Sequence, residues 1–132
     1  MIDDPRIARA ITFINEHFRN PGLSVHDIAA SAGLSPFHFS RLFRQATGKG
    51  PHGYVTQVRL EEARRLLARG CRSIESIALA CGYSSHAHFT NSFGRHLGCT
   101  PAAYRQQQRA QAAANRVGMS CLDADSAGLV SA

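Results

Sequence analysis

Apolar residues recur at helical spacing along most of the chain, and no segment alternates apolar and polar positions as a half-buried strand would. Ile7, Ile11, Ile14 and Phe18 share one face behind a start at Asp3 or Asp4 and Pro5, and Asn20-Pro21-Gly22 ends the run. Ser24, with Asp27 three positions on, approximates a capping box ahead of the stripe Val25, Ile28, Ala29, Ala32. Gly33 closes that helix. Ser35-Pro36 opens the next, which buries Phe39, Leu42 and Phe43 and ends near Thr47-Gly48. A longer helix is expected from Pro51 to Arg69, with Val55, Leu60, Ala63, Leu66 and Leu67 inward and Gly70 at its end.

The pattern then repeats. Ser73 caps a stripe of Ile74, Ile77, Ala78 and Cys81, which is Ser24 with Val25, Ile28, Ala29 and Ala32 displaced by 49 positions. Gly82 answers Gly33 and Ser84 answers Ser35; one residue is then inserted and the displacement becomes 50. Phe89 and Phe93 answer Phe39 and Phe43, Gly98 answers Gly48, Pro101 answers Pro51 and Tyr104 answers Tyr54. So many matches at one period predict an all-α protein built from two copies of one unit. Each copy is a short helix containing Ala-x-x-x-Gly, a tight turn with a Ser cap, and a second helix. The small Ala29 and Ala78 let paired helices approach closely, and Gly33 and Gly82 suit the left-handed backbone of a short turn. This is helix-turn-helix geometry.

The outer faces carry the candidate chemistry. In the first copy Phe37, His38, Ser40, Arg41, Arg44 and Gln45 are left outward; in the second, with Phe89, Phe93 and Leu97 inward, His86, Ala87, His88, Thr90, Asn91 and Arg95 are. These side chains match base-pair edges in a major groove. Arg41 can fork to guanine O6 and N7, Gln45 and Asn91 suit adenine, and Phe37 offers an apolar contact to a thymine methyl. Ser35, Ser84 and Ser85, with the helix N-termini, are candidate phosphate contacts. The four repeated phenylalanines read as core rather than as base-stacking platforms, and Tyr83, replacing Leu34, packs beside the second turn. His86 and His88 stand two apart on a helix and do not share a face, so no metal site is expected there.

Charge strengthens the case for a polyanionic partner. The 132 residues carry a net +6, and every cation except Lys49 is Arg, the better fork for phosphate and guanine edges. Residues 33–116 hold twelve cations against Glu61, Glu62 and Glu75, net +9, whereas 1–32 carry −1 and 117–132 carry −2. With 44% apolar residues the chain can bury a core. Cys71, Cys81, Cys99 and Cys121 form no C-x-x-C pair, so neither a disulfide framework nor a zinc site is expected, and the N-terminus lacks the pattern of a secretory signal. The cytoplasm is the expected compartment. No nucleophile–base pair or phosphate-cradling loop suggests an enzyme.

From about Asp4 to Arg105 the chain resembles the DNA-binding domain of the AraC/XylS family of bacterial transcription regulators. The most specific stretch is Ile77-Ala78-x-x-Cys81-Gly82-Tyr83-Ser84-Ser85, followed by Phe89-x-Asn91-x-Phe93-Gly94-Arg95-x-Leu97-Gly98-x-Thr100-Pro101-x-x-Tyr104-Arg105. Tyr54-Val55 through Arg59-Leu60 and Ala63 to Leu67 are similar to the family's linker helix. The resemblance implies seven helices and two recognition helices, each entering a major groove. Asn91 and Gly94 stand where the family usually carries basic residues, which shifts the expected weight of binding to the first motif.

The expected layout is a first helix-turn-helix subdomain at 4–50, a linker helix at 51–70, a second subdomain at 71–112 and a disordered tail at 113–132, although nothing from Gln106 to Ala114 would break a helix. The expected activity is sequence-specific regulation of transcription, on double-stranded DNA, as a monomer, without cofactor or membrane. The chain would be a short stand-alone member or a fragment of a longer regulator. Two rivals are a non-specific architectural binder of nucleic acid and an interaction module docking on RNA polymerase.

Overall fold

The structure, a computed structural model, describes the backbone of residues 4–121 and the side chains of 4–115. Seven helices and no strand occupy the described residues: α1 (Pro5–His17), α2 (Val25–Ser31), α3 (Pro36–Thr47), α4 (Pro51–Arg69), α5 (Ile74–Ala80), α6 (His86–Leu97) and α7 (Pro101–Cys121).

Local chemistry accounts for the boundaries. The Asp4 carboxylate accepts from the Arg6 N–H at the start of α1, and Ser24 and Asp27 complete a reciprocal capping box on α2. Ser35 and Ser73 cap α3 and α5, and Pro opens α1, α3 and α4. In one place the expected register is corrected. The cap of α6 is Ser85, whose Oγ accepts from the His88 N–H at 3.0 Å, so Ser85 rather than Ser84 answers Ser35. The inserted residue therefore precedes the cap, because the cap must stand three positions before the N–H it receives. The last helix also differs from expectation: α7 runs to Cys121, past the 112 boundary and into the expected tail. Gln106 to Asn115 contains only helix-compatible residues, and a single Gly118 costs a helix only about 1 kcal/mol. Residues 122–132 lie outside the described part.

Two cores form, and α4 serves both. Ile7, Ile14, Ile28, Phe39 and Phe43 centre the first, to which α4 contributes Val55. Ile77, Ala78, Cys81, Phe89 and Phe93 centre the second, to which α4 contributes Leu60, Ala63 and Leu67. The repeated phenylalanines are all fully buried. The aromatic geometry repeats too, with Phe43 edge-on to Tyr54 at 5.2 Å and Phe93 edge-on to Tyr104 at 5.6 Å. Both turns close alike: the Leu34 N–H donates to the Ala29 carbonyl and the Tyr83 N–H to the Ala78 carbonyl, each at 3.0 Å. Gly33 and Gly82, at φ +73° and +93°, supply the left-handed residue those turns need.

One pair distinguishes the copies. Where the first has Leu34 and Leu42, the second has Tyr83 and Ser92, both buried, with Tyr83 Oη and Ser92 Oγ 3.0 Å apart. One hydroxyl donates to the other, and this buried hydrogen bond makes the exchange compatible with a core. Burial pushes the Tyr83 phenol above its ordinary range and the neighbouring Cys81 thiol up to about 11.

Candidate nucleic-acid interface

The inward stripes of α3 and α6 leave their opposite faces to solvent. On α3, Phe37, His38, Arg41, Arg44 and Gln45 are exposed, and Ser40 is half-buried on the flank. Phe37 is 75% exposed, an unusual position for a phenylalanine, and the Arg41 guanidinium lies 5.9 Å from its ring centre. Arg44 folds back on the turn behind it: a Cβ built at Gly50 would sit 2.9 Å from its Nη2.

On α6, His86, Ala87, His88, Asn91 and Arg95 are exposed. The His88 ring stands edge-on to Tyr83 at 5.1 Å, so the second turn braces it. Thr90 departs from the outward reading. It is half-buried, and its Oγ1 is shut off from solvent without a hydrogen-bond partner among the described residues. Directly following the core residue Phe89, it lies on the flank of α6, as Ser40 does on α3. The three serines are exposed, but Ser35 and Ser85 already accept from the His38 and His88 N–H groups, leaving Ser84 uncommitted among the described residues.

Three residues not picked out from the sequence join this surface. Lys49, His52 and His96 line a cleft of about 780 Å³ together with Ser40 and Arg44. The cleft runs between the C-terminal ends of α3 and α6, across the first turns of α4. Neither Lys49 nor His52 belongs to a recognition helix, and only their closeness to Pro51, the first residue of the linker helix, hinted at their place.

Two helix-turn-helix units on a shared helix, each presenting a polar face at equivalent positions, define a tandem helix-turn-helix protein. A family described as "Helix-turn-helix domain" matches residues 14–107, and the chain belongs to the AraC/XylS family of that class. It is 40% identical over 88 residues to the "Probable transcription factor PqrA" of Proteus vulgaris, covering 67% of this chain and 72% of that one. The solved DNA-binding domain of AdpA, in complex with a target DNA, superposes with a TM-score of 0.77 at 35% identity, covering 83% of this chain and 96% of that domain. An AraC-type regulator from Chromobacterium violaceum superposes at 0.71 with 36% identity, covering 79% and 92%. The chain spans only 25 to 34% of the length of three longer curated relatives.

Proposed function

We propose that this chain is a sequence-specific DNA-binding transcription regulator that places α3 and α6 in successive major grooves of one duplex as a monomer. The observation that carries this reading is the likeness, over 83% of the chain, to a DNA-binding domain solved on its target DNA. The exposed faces support it. Arg41 reads guanine, Gln45 and Asn91 read adenine, and Phe37 meets a thymine methyl. Ser84 and the N-termini of α3 and α6 hold phosphates. His86, Ala87, His88 and Arg95 complete the second reading face, and His38 and Arg44 the first. The partner is double-stranded DNA, and the work is recognition, not catalysis.

The test is a selection of bound duplexes from a random pool. Two conserved blocks about one helical turn apart are expected. Equal affinity for selected and random duplexes at one salt concentration would favour an architectural binder instead.

A further inference from the structure

The two turns share one conformation yet have opposite surroundings. At Gly33 an added Cβ would meet nothing within 4 Å among the described residues. At Gly82 it would lie 2.3 Å from the Phe18 carbonyl oxygen and 2.9 Å from Arg59 Nε. The second turn is therefore pressed against the C-terminal end of α1, which belongs to the other half of the molecule.

Arg59 closes this contact from α4. Its Nε donates to the Phe18 carbonyl at 2.9 Å and its Nη2 to the Asn20 carbonyl at 3.0 Å. The Phe18 carbonyl caps the end of α1, where the helix dipole favours a cation, and the Asn20 carbonyl lies in the turn just after it. The guanidinium also lies 5.8 Å from the Tyr83 ring, so one side chain touches both halves. Beside it Arg19 pairs with Glu62 at 3.1 Å, adding a smaller, more exposed tie. A single helix joining two bodies can bend and twist. A second contact away from its axis removes that freedom.

We propose that the carbonyl end of α1, the Arg59 guanidinium and the Gly82 turn form a bearing that sets the orientation of one helix-turn-helix unit against the other, and thereby the spacing between DNA blocks that one chain accepts. The second half of this inference rests on the proposed DNA reading; the first does not. Arg59 and Gly82 are thus positioning residues, remote from any base, that act through the placement of α6.

Two measurements on Arg59→Ala, Gly82→Ala and Gly33→Ala test it. Gly33→Ala carries the same left-handed strain in open space, so it controls for loss of stability alone. The first measurement needs no DNA. Backbone N–H residual dipolar couplings of the free parent protein should fit one alignment tensor across α1–α3 and α5–α7. Gly33→Ala should keep one tensor, whereas Arg59→Ala and Gly82→Ala should need two. If Gly82→Ala fails to fold, Arg59→Ala, which only removes atoms, decides. A single tensor for folded Arg59→Ala overturns the bearing.

The second measurement is affinity for the selected duplex with one base pair added or removed between blocks, a shift of about 3.4 Å and about 35°. The parent and Gly33→Ala should lose at least about tenfold, on the scale of a mismatched contact. Arg59→Ala should bind the original duplex less tightly but lose no more than a few-fold on changing the spacer. An unchanged spacer penalty in Arg59→Ala overturns the link to spacing. Split tensors with a parent protein that prefers no duplex uphold the bearing and overturn the DNA reading.

Discussion

Arg41 and Thr90 occupy neighbouring stations in the repeat but opposite environments, and their substitution should have opposite consequences. Arg41 is exposed beside Phe37, and among the described residues no carboxylate pairs with it. Arg41→Ala should leave folding intact, cost roughly 1–3 kcal/mol of binding, and relax preference at one base pair. A uniform loss across all duplexes, measured on a panel of single-base variants, would make Arg41 a phosphate contact. Thr90 hides a hydroxyl that no described residue partners. A buried polar group left unpaired costs folding energy, so the isosteric Thr90→Val should hold or raise stability by up to about 1 kcal/mol in a denaturant melt. A clear fall in the midpoint would mean the hydroxyl has a partner in solution. Periodicity places Thr90 outward because it places residues in sectors. A flank position is decided by which neighbour covers it, and that information is tertiary.

At the level of whole elements, the caps were the most legible feature. Ser24, Ser35 and Ser73 cap the helices that spacing assigns to them, because capping is local chemistry acting over three residues. The start of α6 was not settled by the same logic, since Ser84 and Ser85 are adjacent and identical in type. The observed bond from the His88 N–H selects Ser85. Ser85→Ala should therefore cost about 1 kcal/mol in thermal stability, and Ser84→Ala almost nothing. Equal losses would return the ambiguity. The solvent-exposed faces of α3 and α6 were legible because two copies of one periodic pattern reinforce each other. Ser92 was not singled out. Yet the signal existed: Leu34 and Leu42 are replaced together by Tyr83 and Ser92, and paired loss of apolar character in a repeat points to a buried hydrogen bond. The cleft lined by Lys49, His52 and His96 had no such signature, because it arises from three segments meeting.

For the whole molecule, the 19 residues of α4 make a strut of about 28 Å, close to one turn of duplex. Inserting about five base pairs between the two blocks turns one of them to the far side and should reduce binding to what a single motif supplies. Inserting a full turn should not restore it for one monomer, because the strut cannot lengthen. Recovery with two chains per duplex, read from complex stoichiometry, would replace the monomer by a dimer while leaving the motif assignments in place. The division of α4 between the two cores also bears on how the protein melts. Each half would have to stand as a folding unit of roughly 50 residues, a size at which a core is marginal without a staple. Melting either half would strip cover from Val55 on one side or from Leu60, Ala63 and Leu67 on the other, exposing apolar surface on a helix the surviving half still needs. Loss of one half thus withdraws support from its neighbour. Calorimetry should record one cooperative transition whose van't Hoff and calorimetric enthalpies agree, and two resolved peaks would contradict this. The protein would then have no partly melted form that reads one block while the other unit is unfolded: heat removes both recognition helices together.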